Sequence, residues 1–263
     1  MNKTIYTYWD SIELPLFNKL CMESWKKTNG DYDIVLLNKN NFKDYIKHIP
    51  EGFDKLIVQH QSDYIRLYLL YFYGGVWLDN TILLLDTLDK LIDITSNKLQ
   101  CFRCYFNGDK IVENSIICCP KGNNYMKIWL SLYTKAITIG FTTFYDLNKN
   151  KYHLIYKDYD YLSSIYLTNM IIFGMIYMNN QHINNDVIVY ERKLINYDPR
   201  RFFLKRRYQH NMFINFTRIN LQDMFIKFTS DNRNEFLNII KNRPVINKTI
   251  LNIVDLNRLR ESQ

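Results

Sequence analysis

Residues 62–81 read SDYIRLYLLYFYGGVWLDNT. Asp63 and Arg66 stand three apart in a stretch with helical spacing, so they share one helix face. Gly74-Gly75 supplies a natural helix stop. A short apolar strand, VWLD, follows and places Asp79 at its C-terminal end, which is where open α/β sheets bind ligands. Two consecutive glycines also let backbone and ligand approach closely. An arginine can hold a phosphate or a sugar hydroxyl. The carboxylates can accept hydroxyl hydrogen bonds or take a hard cation through oxygen. Each piece alone has a plainer reading: a surface ion pair for Asp63 and Arg66, an ordinary helix stop for Gly74-Gly75. The order of the pieces points to a polar site.

On either side of this stretch, the chain alternates between two periods. Thr4 to Trp9 reads as a first strand and Leu16 to Lys27 as a helix. Asp33 to Leu37 is a short apolar run of the kind found in parallel strands covered on both faces. Asn40 to His48 reads as a short helix, and Gly52 to Tyr73 as the long helix that carries Asp63 and Arg66. Val76 to Leu78, Leu99 to Phe106 and Val112 to Cys119 are predicted strands, with turn chemistry at Asn107-Gly108-Asp109. Asn123 to Ile139 and Asp158 to Met178 are predicted helices, Val187 to Tyr190 a strand, and Asn232 to Lys241 a helix. Strands alternating with helices imply an α/β fold with a mostly parallel central sheet flanked by helices. There is no internal repeat and no Gly/Ser- or Pro-rich linker. The expectation is one domain over 1–263, with a core in 3–120 and helical, acceptor-side elements in 121–263.

Composition sets limits on function. The 263 residues are 47% hydrophobic and 16% aromatic, which excludes a disordered chain. The net charge of +8 favours anionic partners such as nucleotides, nucleic acid or an anionic membrane surface. Five cysteines, Cys21, Cys101, Cys104, Cys118 and Cys119, lack disulfide-framework spacing. Their apolar surroundings favour buried free thiols over a zinc site. The start MNKTIYTYWDSIELP has no apolar signal region, and no apolar run reaches the ~20 residues of a membrane span. The resulting expectation is a soluble, cytoplasmic protein, with peripheral membrane association left open. The basic run Pro199 to Arg207 (PRRFFLKRR) reads first as a solvated face, so nucleic acid is not the expected partner. The five histidines show no metal-ligand spacing and read as structural or surface residues. The tyrosine-rich stretch Tyr152 to Tyr166 reads equally as a packed helix face or as the lining of an acceptor groove.

The pattern S-D-x-x-R followed by L-x-x-x-G-G-V-W-L-D-x-T resembles the capsular-polysaccharide-synthesis glycosyltransferases, and more widely the family 32 sugar transferases with a D-x-D motif. Ile5 to Ser11 (IYTYWDS), Glu23 to Lys27 and Asp31 to Leu37 are similar to the same family's N-terminal pattern. The likeness is good over about residues 3–90 and continues weakly through Val112 to Gly122. It implies a GT-A fold, a nucleotide-sugar donor such as a UDP- or GDP-sugar, a glycan or protein hydroxyl acceptor, retention of anomeric configuration, and a divalent metal, Mn or Mg. Carried over by motif, Asp63, Arg66 and Asp79 form the catalytic set. Tyr8, Trp9, Ser62, Gly74, Gly75 and Asn114 contact the nucleotide sugar, with Trp9 lying against the base. Asp79 and Thr81 meet the metal. The last D-x-D position is Thr81, which removes one carboxylate from the metal site. That departure leaves a catalytically silent sugar- or nucleotide-binding protein as the alternative.

Overall fold

The order in which β1 (Thr4–Tyr8), β2 (Asp33–Leu37) and β3 (Gly75–Leu78) pair sets the position of Asp79. In a computed structural model of the chain, the residues described are 1–103, 111–155, 160–179, 182–190, 225–227, 233 and 237. The turn at 107–109, Cys104, His210, the basic run 199–207 and the predicted helix over 232–241 lie wholly or mostly outside them. The described residues fall into two compact units. The first comprises the described residues of Met1–Ile12, Asp33–Asp79 and Asp93–Arg192; the second comprises Glu13–Tyr32, Asn80–Ile92 and the few described residues after 193.

The first unit is built on a six-stranded sheet in the order β2-β1-β3-β6-β5-β7. Its remaining strands are β5 (Leu99–Arg103), β6 (Val112–Cys119) and β7 (Val187–Tyr190). The β1–β2, β1–β3 and β5–β7 pairings are parallel, and β6 runs antiparallel to both of its neighbours. The sheet is therefore mixed but mostly parallel, as expected from the alternation of strands and helices. A row of residues crosses four strands in register, from Tyr6 to Trp77 to Ile117 to Cys101. Because strand side chains alternate between faces, this row lies on one face, and all four residues belong to the main buried core.

Five helices contribute buried residues to that core: α2 (Phe42–Tyr45), α3 (Val58–Phe72), α4 (Asn124–Ile139), α5 (Phe141–Ile155) and α7 (Thr168–Asn179). All residues of α7 from Thr168 to Ile176 are buried, which matches its apolar surface all round. The predicted helix over Asp158 to Met178 is in fact two: α6 (Tyr161–Tyr166) ends at Leu167, and α7 begins directly after it. α5 has no counterpart among the predicted elements. Its polar run over 148–151 (NKNK) weakens the apolar stripe that periodicity needs.

α4 starts on Asn123, whose side-chain oxygen accepts a hydrogen bond from Met126 N at 3.0 Å. An N-terminal helix cap of this kind satisfies a donor the helix cannot. Asn123→Ala should therefore lower stability by about 1 kcal/mol in urea unfolding, with an unchanged m-value.

The second unit shows how polar helix residues can finish a short strand. α1 (Leu16–Thr28) packs on β4 (Ile82–Leu84), and β4 pairs with β8 (Phe225–Lys227). Asn18 Nδ2 donates to Asn80 O at 3.0 Å, and Trp25 Nε1 to Ile82 O at 2.7 Å. Ser24 Oγ accepts from Leu84 N at 3.0 Å, and Asn29 Oδ1 from Leu88 N at 2.7 Å. Buried backbone groups need partners, and here the side chains of one helix, with the asparagine that follows it, provide them.

The described cysteines, Cys21, Cys101, Cys118 and Cys119, are buried free thiols. Burial pushes the Cys118 thiol up to about 12. Among the described residues no three His, Cys, Asp or Glu side chains converge to hold a metal. No described helix is long and apolar enough to cross a membrane.

Candidate active site

α3 positions the first part of the site. His60, Asp63 and Arg66 follow one another at three-residue spacing, so they form a stripe on the helix. All three are buried, at 6%, 7% and 5% exposure. The plain reading of Asp63 and Arg66 as a surface ion pair therefore fails.

The helix closes at Tyr73, whose N–H bonds to Leu69 O and Leu70 O. Gly74 follows at φ +70° and Gly75 at φ +111°, and β3 then leads to Asp79. The Asp79 N–H donates to Ser115 O at 2.9 Å, extending the β3–β6 ladder by one residue and fixing the carboxylate's base.

Arg66 binds the parts together. Its Nη1 donates to Asn114 O at 2.7 Å and lies 3.3 Å from Asp63 Oδ1. Its Nη2 donates to Asp79 Oδ1 at 3.1 Å. The guanidinium carbon sits 4.9 Å from the Trp77 ring centroid, within range of a cation–π contact. Trp77 Nε1 donates to the same Asp79 Oδ1 at 2.8 Å. Asn114 Nδ2 donates to Asp63 Oδ1 at 3.1 Å. Residues 63, 66, 77, 79 and 114 thus form one hydrogen-bonded array drawn from α3, β3 and β6. The array holds two carboxylates against one guanidinium, and so carries an excess of negative charge. The Asp79 side chain is 22% exposed and the Asp63 side chain 10%, so Asp79 is the more accessible of the two.

The other expected site residues are placed differently. Ser62 is half-buried on α3, and Trp9 is half-buried directly after β1, with its N–H bonded to Leu37 O at 2.9 Å. Tyr8 lies in the core, edge-on to Phe42, and its hydroxyl donates to Asp10 Oδ1 at 2.9 Å. Gly74 and Gly75 are at the opposite end of β3 from Asp79. The space their missing side chains leave is filled by the protein itself. A Cβ on Gly74 would come within 2.5 Å of Lys121 N, and one on Gly75 within 2.6 Å of Thr4 O. The close approach these glycines permit at their missing Cβ positions is chain to chain. Asn80 and Thr81 begin a segment of the second unit, where Asn80 is buried and Thr81 half-buried.

Three members of the array and its surroundings are absent from the residues expected on sequence: Trp77, His60 and Tyr133. The W-x-D spacing of Trp77 and Asp79 and the three-residue stripe ending in Arg66 were available signals. Tyr133 gave none, because it is distant in the chain.

The family of capsular polysaccharide synthesis proteins matches residues 1–242, and the chain belongs to that family. Among curated relatives, it is similar to the O-glycosyltransferase braB of Annulohypoxylon truncatum, 24% identical over 160 residues, which are 51% of this chain and 37% of the relative. It is likewise similar to the glycosyltransferase afumC of Aspergillus fumigatus, 27% identical over 154 residues, 50% of this chain and 39% of the relative. The matched stretches thus span well under half the length of these relatives. Among solved structures, a glycosyltransferase involved in the glycosylation of the major capsid of PBCV-1 aligns at TM-score 0.47 and 13% identity, covering 89% of this chain and 98% of that one. The galactosyltransferase LgtC aligns at TM-score 0.46 and 13% identity, covering 95% and 100%.

Proposed function

We propose that this chain is a glycosyltransferase of GT-A type that moves a sugar from a nucleoside-diphosphate sugar, a UDP- or GDP-sugar, to a hydroxyl of a glycan or protein, with retention of configuration, in polysaccharide biosynthesis. The observation that carries this is the pair of carboxylates locked around Arg66 at the C-terminal end of β3, in a chain of this family. Named glycosyltransferases among its relatives support the reading.

Asp63, the more buried carboxylate, accepts a hydroxyl of the donor sugar. Asp79, the more accessible one, faces the diphosphate. Arg66 has both terminal nitrogens engaged inside the protein, so its role is to hold the two carboxylates at a fixed separation. Asn114 supports Asp63 in the same way. Trp9 is the aromatic face offered to the base.

Mn or Mg fits this donor set only as a cation shared with the substrate. Asp79 supplies one carboxylate, with the Thr81 hydroxyl as the expected second oxygen, and Asp79 Oδ1 already accepts two N–H bonds. Mg commonly binds through one or two carboxylates plus substrate phosphates, so the diphosphate would bring most of the ligands. When bound, the metal would neutralise charge on the leaving diphosphate.

The test is release of nucleoside diphosphate from a panel of UDP- and GDP-sugars with Mn or Mg. Asp79→Asn should lower the rate about a hundredfold, the scale of lost electrostatic stabilisation. Its melting temperature should barely move, since the amide oxygen can still accept from Trp77 and Arg66. The thin metal donor set favours one rival, a silent binder on the same fold. That rival is established instead if nucleotide sugars raise the melting temperature by mass action while no donor is ever cleaved.

A further inference from the structure

We infer that Tyr133 is a positioning residue for Asp63, setting the carboxylate that receives the donor sugar; the inference rests on the glycosyltransferase reading. Tyr133 comes from α4, seventy residues away in sequence, and is fully buried. Its hydroxyl lies 3.3 Å from His60 Nδ1, 3.3 Å from His60 O and 3.4 Å from Asp63 Oδ2. None of these is the roughly 2.7 Å of a settled O–H···O bond. The hydroxyl is divided between two oxygens and a ring nitrogen that accepts or donates according to the His60 tautomer, and one of those oxygens is Asp63 Oδ2, which neither Arg66 nor Asn114 holds.

A second tyrosine on the same helix shows what a committed structural hydroxyl looks like here. Tyr125, equally buried, donates a bond of 2.7 Å to Phe173 O. The Tyr133 hydroxyl differs in being uncommitted and in facing the site.

His60 is the other half of the arrangement. Its Nδ1 is 3.8 Å from Asp63 Oδ2. Its ring is packed against Phe141 of α5, centroids 4.4 Å apart, and Tyr166 of α6, centroids 5.9 Å apart. This packing keeps His60 from swinging away, so Tyr133 and His60 together confine Asp63 Oδ2 from the side opposite Arg66. Burial pushes the Tyr133 hydroxyl far above the usual phenol range, with the charge of Asp63 adding to the effect. It therefore stays protonated and able to donate. As a sugar hydroxyl binds Asp63, the Tyr133 O–H can settle into a single hydrogen bond to Oδ2, its proton staying on the phenol oxygen, and fix the carboxylate's orientation.

The test compares Tyr133→Phe with Tyr125→Phe in the purified full chain, following nucleoside diphosphate release from the donor that the wild type cleaves. Tyr133→Phe should lower kcat about tenfold, the scale of one hydrogen bond to a charged group, with donor KM within about twofold. Tyr125→Phe should lose comparable thermal stability and keep its kcat. A second measurement preserves the packing: 3-fluorotyrosine at 133, a stronger donor of nearly equal size, should shift kcat, whereas the same replacement at 125 should not. An active wild type whose kcat is untouched by both changes at 133, or moves equally for changes at 125, overturns this inference alone. A wild type that cleaves no donor removes the proposed function, and this inference with it.

Discussion

Arg66→Leu should destabilise the protein by about 3–5 kcal/mol, the usual cost of removing one partner from a buried ion pair, and should abolish activity. The guanidinium contacts Asp63, Asp79 and Asn114 O and packs on Trp77. Leucine fills part of the volume but leaves two carboxylates facing each other, with a backbone carbonyl short of its donor. Arg66→Lys separates charge from geometry. It restores the positive charge, but a single ammonium cannot reproduce the planar fork that reaches three acceptors. Its stability should fall between wild type and Arg66→Leu. Urea unfolding monitored by far-UV circular dichroism checks both. A loss under about 1 kcal/mol for Arg66→Leu, the level of a surface ion pair, would falsify the buried array.

The second large effect is expected at the turn between α3 and β3. Gly74→Ala should cost about 3–5 kcal/mol, combining the penalty of left-handed backbone for an L-residue with overpacking. A Cβ there meets Lys121 N at 2.5 Å, Lys121 Cα at 3.1 Å and Cys119 O at 3.2 Å, at φ +70°. These are backbone atoms of the chain leaving β6, so no rotamer change relieves the clash. Gly75→Ala should behave similarly, with Thr4 O at 2.6 Å and φ +111°.

Gly122 isolates the two contributions. It has φ +74°, and nothing lies within 4 Å of the point where an alanine methyl would stand. Gly122→Ala should therefore cost only the conformational penalty, about 1–2 kcal/mol. If Gly74→Ala and Gly122→Ala lose the same amount, crowding at the turn is not what requires glycine. Both variants at 74 and 75 should reduce activity only in proportion to the folded fraction, since the turn is at the far end of β3 from Asp79.

Most of the first unit was legible along the chain. β1, β2, β3, β5, β6 and β7 are legible because short apolar runs bounded by turn residues are local signals. α1, α3 and α4 were found from their spacing and their stops. β4 was missed because ILL is only three residues long, too short for a period to show. Its backbone is completed by α1 side chains whose partnership no local pattern reveals. α6 and α7 merged into one predicted helix because the break at Leu167 involves neither glycine nor proline.

Local spacing was enough to assign Asp63, Arg66 and Asp79 to one site, since a three-residue helical interval and a strand end reached through a Gly-Gly stop are rules of short-range geometry. What each residue touches there came from the folded chain. Burial turned the surface-pair reading into an array with Arg66 as its strut. Chain packing at Lys121 and Thr4 gives the two glycines a structural reason at the turn. The pairing of α4 with α3 brought Tyr133 to Asp63 and His60. Those assignments depend on contacts between residues far apart in the chain, and such contacts leave no trace in the local spacing that a single sequence displays.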